Sequence, residues 1–310
     1  MSLVPDISVI IPTKDREGIL GLTLSHLRKA MSEFNLEVIV VNDSKTTIPR
    51  VESDVILLNN PLSGVGSARN LGAHQAKAKW LLFLDDDMLI FPENFTTYSS
   101  YMAQSGKFTV NLNWVYPAGT ISSIKKTAFG RFLVKYNFTS LRGWNSLPGW
   151  QENAVIEGNG ITSQNLFIKK DLFFLAGAYP DTIPHAGFED HVLTDRLRKL
   201  GFAFKIDTRS CMYHNESDRV EPTAWFKRKE RGAETRGFAE KLGYPELKLA
   251  YSPAKKAFYS ISFILKPVLK LILALSSLSP TFDRLSFACF RMSLGISIYQ
   301  GYSRSGASLN

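Results

Sequence analysis

Short apolar runs that alternate with helix-patterned segments constrain the fold of this chain more than any other feature of its sequence. The runs lie at residues 7–11, 36–41, 55–58 and 80–84. They are short and rich in Val, Ile and Leu, as expected for strands buried on both faces of a sheet. Between them, residues 17–32 and 64–79 carry the spacing or the opening turn of helices. This alternation predicts an α/β fold with a doubly wound, mostly parallel sheet.

Three polar clusters directly follow predicted strands. They are Thr13-Lys14-Asp15-Arg16, Asn42-Asp43-Ser44 and Asp85-Asp86-Asp87. In sheets of this class, ligands bind at the carboxyl ends of the strands, where the strand order changes direction. The sequence therefore predicts a ligand site that gathers these three clusters at one edge of the sheet.

The aspartate triplet is the most demanding of the three clusters, because adjacent like charges repel one another at the end of a buried strand. Either the triplet points into water at a turn, or a strong cation lies against it. Two carboxylates at positions i and i+2 can share Mg²⁺ or Mn²⁺, which leave coordination sites for phosphate oxygens. Gly64-Val-Gly66 lacks the third glycine of a dinucleotide fingerprint, and the chain has no Walker A motif. A dehydrogenase or a P-loop enzyme is therefore disfavoured.

The middle of the chain gives weaker signals. Residues 111–149 are predicted to be rich in loops. Their aromatic residues could stack on sugar rings, in a lid that recognises an acceptor molecule, or they could pack in a core. These aromatics, with one neighbouring proline, are Trp114, Tyr116, Trp144, Pro148 and Trp150. Further on, the pattern predicts strands at residues 166–168 and 202–206, and helices at residues 171–177 and 189–200.

Four segments together resemble the family 2 glycosyltransferases in their order and spacing. They are SVIIPTKDR (8–16), LEVIVVNDS (36–44), GVGSARNLGAHQAKAKWLLFLDDD (64–87) and GFEDHVLTDRLRKLG (187–201). The resemblance covers about residues 6–215 and implies the GT-A fold. It also implies a nucleotide-sugar donor at the carboxyl edge of the sheet. Asn42, Ser44 and Asp15 depart from the residues that many members carry, so the identity of the nucleotide stays open.

On the donor side, the resemblance implies a role for residues of all three clusters. Pro12, Thr13 and Arg16 would line the nucleotide pocket, Asp43 would bind the uracil ring, and Arg69 would support the nucleotide. Asp85 and Asp87 are the outer residues of the Asp-x-Asp motif. Asp87 would bind Mn²⁺ or Mg²⁺, and Asp85 would bind the metal or the ribose. His214 is a candidate for a further metal ligand, and histidine is a common ligand of such ions.

On the acceptor side, the resemblance makes Asp190 the general base that deprotonates the acceptor hydroxyl. An acidic pair at this position would also cap a helix N-terminus, and both roles can hold together. Glu189, Asn159 and Trp150 are the predicted acceptor contacts, and His185 is a weaker one. Gly158 and Gly160 would let the backbone approach a sugar closely.

Taken with the residues above, the resemblance implies a metal-dependent, inverting glycosyltransferase that uses a UDP-sugar and acts on a glycan or lipid-linked acceptor in bacterial surface polysaccharide synthesis. Two alternatives remain. A sugar nucleotidyltransferase also combines an α/β sheet with acidic metal ligands, but 11–18 (IPTKDREG) is a poor triphosphate loop. A non-catalytic, nucleotide-binding membrane adaptor could keep the fold, but it would not require the carboxylates of Asp85, Asp87 and Asp190. The oligomeric state is not predicted.

The charged residues are unevenly distributed along the chain. Residues 1–218 carry 22 Lys and Arg against 22 Asp and Glu, whereas residues 219–310 carry 15 against 6, which accounts for the net charge of +9. We therefore predict a catalytic domain at 1–218 and a basic, helical, apolar region at 219–310. Lysines flank and interrupt the apolar stretch 258–278, which favours an amphipathic helix on an anionic membrane surface over nucleic-acid binding. Packing of these helices on the catalytic core is the alternative.

Two weaker signals indicate the cellular compartment of the protein. No secretory signal pattern opens the sequence, and its two cysteines, Cys211 and Cys289, suit a reducing compartment. We expect a cytoplasmic protein that is peripheral on the inner face of the cell membrane.

Overall fold

The computed structural model describes residues 4–145, 149–181, 187–276 and 279–307. They form two compact units. The first lies within Met1–Tyr116, Ser140–Pro184 and Glu189–Asn215, and the second within Pro117–Thr139, His185–Phe188 and Glu216–Asn310. The second unit thus joins a segment from the middle of the chain to the C-terminal region. A domain boundary at residue 218, drawn from charge, stays a prediction.

Nine strands of the described residues make one mixed sheet in the first unit. They are β1 (Ile7–Thr13), β2 (Leu36–Asn42), β3 (Val55–Asn59), β4 (Trp80–Leu84), β5 (Met88–Leu89), β6 (Phe108–Val115), β7 (Val155–Glu157), β8 (Asn165–Lys169) and β9 (Ala203–His214). Their order is β3-β2-β1-β4-β8-β6-β9-β5, and β7 pairs with β9. The run from β3 to β4 is parallel, as is β6 with β9, whereas β8 is antiparallel to both of its neighbours.

Helices connect and flank these strands. They are α1 (Glu17–Met31), α2 (Val65–Gln75), α3 (Pro92–Met102), α4 (Ala118–Ile124), α5 (Ala128–Lys135), α6 (Leu141–Asn145), α7 (Lys170–Leu175), α8 (Glu189–Lys199), α9 (Pro222–Lys241), α10 (Pro253–Ile261), α11 (Lys266–Ser276) and α12 (Asp283–Arg304). The predicted α/β architecture with a helical C-terminal part is confirmed.

The core of the first unit packs α2, α7 and α8 against one face of the sheet. Its members include Ile10, Phe83, Leu166, Phe173 and Leu197. The closest approach is at Gly72 of α2, where a Cβ atom would lie 2.4 Å from Ile10 Cγ2. Any larger side chain there would push α2 away from β1, so this glycine is needed for packing.

The predicted strands and helices of the N-terminal third are confirmed, but α2 ends at Gln75, earlier than expected. After it the chain becomes extended, because the amide of Lys77 bonds to the Glu37 carboxylate and that of Ala78 bonds to Ser8 Oγ. The strand predicted at residues 202–206 also proves much longer, since β9 continues to His214 alongside β6. The apolar pattern did not predict this continuation, because residues 207–214 include several polar residues.

The prediction of a loop-rich segment at residues 111–149 is wrong. Strand β6 runs to Val115, and helices α4, α5 and α6 follow. Trp114 is 0% exposed and Tyr116 is 4% exposed, so these two aromatics pack in the core rather than in a lid. Pro148 and the side chain of Trp144 lie outside the described residues.

In the second unit, α5 packs with α9 and α12 around an aromatic cluster. Its buried aromatic members are Phe129, Phe132, Trp225, Phe287 and Phe290. No single helix of the described residues is long and apolar enough to cross a membrane. Helix α10 and residues Lys266–Ala274 of α11 pass that test together, by length and composition only, and they are bent by 75°.

Candidate active site

The sheet brings the three polar clusters to one edge. Thr13 at the end of β1 pairs in register with Asn42 at the end of β2, and Asn42 pairs with Asn59 at the end of β3. The amide of Asp43 continues the pattern by donating to the Thr13 carbonyl at 2.8 Å. Because β4 also pairs in parallel with β1, the aspartate triplet leaves the sheet on the same side.

Asp86, the middle residue of the triplet, is buried and anchors the end of β1. Its Oδ2 accepts a hydrogen bond from Thr13 Oγ1 at 2.7 Å, its Oδ1 accepts one from Arg16 Nη1, and its carbonyl accepts one from Thr23 Oγ1. Burial, followed by the charge of Asp87, raises the pKa of Asp86 to about 7, while Arg16 and Thr13 act against that rise. The Asp86 carboxylate therefore has a structural role, because both of its oxygens bond to side chains of the protein.

Asp87 lies between a cation and an imidazole. Its Oδ2 is 2.9 Å from Arg16 Nη1, and its Oδ1 is 3.2 Å from His214 Nε2. Both Asp87 and His214 are about 2% exposed. They meet because β5 follows the triplet and pairs antiparallel with the end of β9, where Met88 is opposite His214. The His214 ring packs edge-on against Trp114, with ring centroids 4.7 Å apart.

The carboxylate and imidazole of this pair suit Mn²⁺ or Mg²⁺ as far as ligand type is concerned. Hard divalent ions take carboxylate oxygens, and Mn²⁺ also accepts imidazole nitrogen. Asp87 and His214 would hold the ion, whose positive charge would neutralise a leaving diphosphate. The structure thus brings together two of the three predicted metal ligands, whereas Asp85 is bonded elsewhere.

Arg69 links Asp85 to Glu189, the first residue of α8. It projects from α2, is 3% exposed, and donates from Nη2 to Asp85 Oδ1 at 2.7 Å and from Nη1 to Glu189 Oε1 at 3.1 Å. Its guanidinium also lies 5.3 Å from the centre of the Tyr179 ring. Burial would lower the pKa of Arg69, but Asp85 and the nearby Tyr179 and Glu189 raise it, so the group stays charged.

Two arginines therefore oppose the aspartate triplet. Arg16 lies against Asp86 and Asp87, and Arg69 lies against Asp85. The strong cation expected beside the triplet is thus present in the protein itself.

Asp190 lies in the first turn of α8 and is held by a neighbouring loop. Its Oδ1 accepts a hydrogen bond from Ser163 Oγ, and its Oδ2 accepts one from the Ser163 amide at 3.1 Å. Ser163 Oγ is also 2.6 Å from the phenolic oxygen of Tyr179. Burial, followed by the adjacent charge of Glu189, raises the pKa of Asp190 to about 7, against the effects of Arg69 and Ser163. A carboxylate with such a pKa is suited to general-base catalysis near neutral pH.

Asp43 is fixed by the turn that precedes α2. Its Oδ1 accepts hydrogen bonds from Asn60 Nδ2 at 2.7 Å and from the Gly64 amide at 2.9 Å, and its Oδ2 lies 3.6 Å from Lys14 Nζ. Gly64 has a φ of 124°, a conformation that favours glycine. At Gly66 a Cβ atom would lie 2.6 Å from the Pro180 carbonyl oxygen. These two glycines of the fingerprint-like segment serve turn geometry and close packing.

The other predicted site residues are placed as follows, and their roles stay predictions. Pro12 is buried within β1, and Asn159 is exposed, with its carbonyl accepting from Arg198. Trp150 is half-buried and donates from Nε1 to Glu152 at 2.7 Å. Near Asn159, a Cβ atom at Gly160 would lie 2.7 Å from Thr194 Cγ2, so packing alone accounts for that glycine. His185 lies outside the described residues.

Sequence reasoning missed Asn60, Ser163 and Tyr179. Each is buried and bonded to a predicted site residue or to its partner. Asn60 directly follows β3, so it fits the pattern of polar residues after strands that singled out the other clusters. Ser163 and Tyr179 gave no comparable signal, since neither follows a predicted strand.

Comparison with known proteins shows what the chain is similar to. Residues 8–149 match the family model described as glycosyl transferase family 2. The resemblance to the family 2 glycosyltransferases is therefore confirmed over these residues, which make up a little less than half of the chain. The matched region contains all three polar clusters together with Arg69, whereas Asp190 and His214 lie beyond it.

Curated relatives match parts of this chain. An uncharacterized glycosyltransferase of Haemophilus influenzae is 31% identical over 115 residues, which are 36% of this chain and 37% of that protein. Chondroitin synthase of Escherichia coli is 24% identical over 251 residues, which are 69% of this chain and 35% of that protein. The chain thus spans little more than a third of the length of these two relatives.

Among solved structures, mannosyltransferase PcManGT from Pyrobaculum calidifontis, in complex with GDP-Man and Mn²⁺, is similar over 98% of this chain and 89% of its own. The TM-score is 0.55 at 12% sequence identity. This similarity confirms the predicted GT-A fold.

Proposed function

We propose that this chain is a metal-dependent, inverting glycosyltransferase that moves a sugar from a UDP-sugar to a glycan or lipid-linked acceptor in bacterial surface polysaccharide synthesis. The observation that carries the proposal is the buried bridge through Arg69. It joins Asp85 of the acidic triplet to Glu189, the residue next to Asp190. A carboxylate suited to binding the donor and a carboxylate suited to activating the acceptor are thereby held in one network.

In the proposed reaction, Asp190 takes the proton of the acceptor hydroxyl. That oxygen attacks the anomeric carbon of the donor as the bond from that carbon to the diphosphate breaks. UDP leaves with the electron pair, and the configuration at the anomeric carbon inverts. Ser163 orients the Asp190 carboxylate through two hydrogen bonds, and such preorganisation lowers the cost of reaching the reactive geometry.

The first test is a panel of UDP-sugars, each assayed with and without Mn²⁺ for release of UDP in the absence of acceptor. We expect one sugar to turn over only with the metal. The Asp87→Asn variant should bind Mn²⁺ at least about 100-fold more weakly, because it loses the charge of a direct ligand. Direct titration of Mn²⁺ measures this loss independently of turnover.

A matched control is Asp54→Asn, which removes a half-exposed surface carboxylate that pairs with Arg28. It should leave Mn²⁺ affinity unchanged. Unaltered Mn²⁺ binding in Asp87→Asn would contradict the metal site. Absence of both UDP release and Mn²⁺-dependent UDP binding would instead favour the adaptor or another nucleotide, and pyrophosphate release from UTP and a sugar phosphate would favour a nucleotidyltransferase.

Arg16 supplies a further test, because its guanidinium shares Asp87 with the proposed metal. Replacing Arg16 by glutamine should raise Mn²⁺ affinity by about 10–100-fold, since a charge-assisted hydrogen bond to Asp87 no longer competes. If Arg16 also lines the nucleotide pocket, UDP affinity should fall in the same variant. Calorimetric titration with each ligand separates the two effects, and weaker Mn²⁺ binding would show that Arg16 does not compete for Asp87.

A further inference from the structure

An apolar face lies exposed on the second unit. It consists of Phe258, Ile261, Ile264, Val268 and Leu271, whose side chains are 41–63% exposed. These residues belong to α10, to α11 and to the short 3₁₀ turn Ser262–Leu265 between them. Val268 and Leu271 are three positions apart in α11, so they lie on one side of that helix.

The inward side of the same helices is already packed. Leu269 is buried, together with Cys289 and Ile296 of α12, and Leu265, Ile272 and Leu273 pack against them. The helix pair is therefore apolar on both sides, whereas a surface helix that meets only water needs one apolar side. The large apolar side chains on the exposed side do not contribute to packing within this unit. Such an exposed apolar surface indicates a binding partner outside the protein.

The charge of this region indicates what that partner is. Between Glu246 and Asp283 the sequence contains Lys248, Lys255, Lys256, Lys266 and Lys270 and no acidic residue. Lys255, Lys266 and Lys270 are exposed. Lys266 donates to Gln300 Oε1 at 2.7 Å, and Lys255 lies over the Tyr251 ring at 5.1 Å. A partner for this face must accept apolar side chains and also be negatively charged.

A lipid surface meets both requirements better than the other partners do. A second copy of the chain would bring the same lysines together in a symmetric interface, and like charges would repel. Nucleic acid would match the charge but would gain nothing from Ile264 or Leu271. Each helix alone, of 9 or 11 residues, is much shorter than the about 20 residues that span a bilayer. The 75° bend between them and the two lysines within α11 favour a pair that lies in the interface.

We propose that this apolar face docks on an anionic lipid bilayer, with its large side chains in the boundary between headgroups and acyl chains and its lysines among the lipid phosphates. This docking would hold the chain at the inner face of the cell membrane. The inference is independent of the proposed transferase activity, because it concerns residues to which that activity assigns no role.

The test is binding of the full chain to lipid vesicles, measured by flotation. Vesicles of phosphatidylcholine alone are compared with vesicles that also contain phosphatidylglycerol. We expect strong binding only to the anionic vesicles, weakened by salt. The triple variant Ile264→Ser/Val268→Ser/Leu271→Ser should bind about tenfold or more weakly, because it removes the side chains that enter the boundary. The double variant Lys255→Gln/Lys270→Gln should lose about tenfold in affinity for anionic vesicles only.

A matched control removes equally exposed apolar side chains from the first unit, by Leu22→Ser/Ile48→Ser/Leu62→Ser. These residues are 48–68% exposed, and the variant should bind vesicles as the wild type does. Equal binding by the Ile264 triple variant, or no binding by the wild type, would overturn the proposal. A wild-type dimer in solution that the same triple variant converts to monomer would assign the face to a second copy instead.

Discussion

Replacement of Asp190 by asparagine is expected to lower turnover by about 10²–10⁴-fold while leaving the affinity for UDP unchanged, because the variant loses only general-base assistance. The asparagine amide keeps the shape of the carboxylate and one acceptor oxygen for the Ser163 pair. It cannot take a proton from an acceptor hydroxyl. Measurement of UDP release with acceptor present, beside UDP titration, separates the two quantities.

The control for this variant is Asp195→Asn, which removes a carboxylate from the same helix, α8. Asp195 pairs with Lys199 one turn further along, and its loss should change turnover little. Unchanged turnover in Asp190→Asn would exclude Asp190 as the base.

The dependence of kcat/KM on pH gives a second measure of the same group. Only the ionised carboxylate is a base, and burial raises the pKa of Asp190 to about 7. The rate should therefore rise with pH up to about 7 and fall about tenfold for each pH unit below it. In Asp190→Asn this acidic limb should disappear, leaving a low rate that no longer follows the same titration.

Replacement of Arg69 by glutamine is expected to destabilise the fold by about 3–5 kcal/mol, because it leaves the buried Glu189 and the partly buried Asp85 without their cation. Asp85 and Glu189 both bond to this one guanidinium, and Glu189 is 6% exposed. Glu189 would then stay buried without its cation, which costs free energy because its charge is shielded from water. Urea denaturation of wild type and variant measures the difference in the free energy of unfolding.

Arg28 provides the matched control, since it also pairs with two carboxylates, Glu52 and Asp54, but is 44% exposed at its side chain. Arg28→Gln should cost about 0–1 kcal/mol, as solvent-exposed pairs usually do. Equal losses in the two variants would show that burial is not what makes the Arg69 network important. If Arg69→Gln does not fold at all, the triple variant that also carries Asp85→Asn and Glu189→Gln should recover part of the stability.

The sequence determined most of the N-terminal half of the fold. The runs that became β1, β2, β3 and β4 are uniformly apolar and short, which is what strands covered on both faces require. The polar clusters that follow β1, β2 and β4 could be placed at one edge without coordinates, because parallel strands present their carboxyl ends on the same side. The acidic start of α8 was equally readable, since helix spacing and an acidic first turn are local signals.

The tertiary structure decided which of these side chains meet. His214 reaches Asp87 only because β9 extends well beyond its apolar part and pairs with β5. Arg69 joins Asp85 to Glu189, and Ser163 holds Asp190, through contacts between segments that are far apart in the chain. Such contacts depend on sheet register and on how each helix packs, and the local periodicity of a single sequence carries neither. The residue types at the candidate site were therefore predictable, whereas their pairing was fixed by long-range packing.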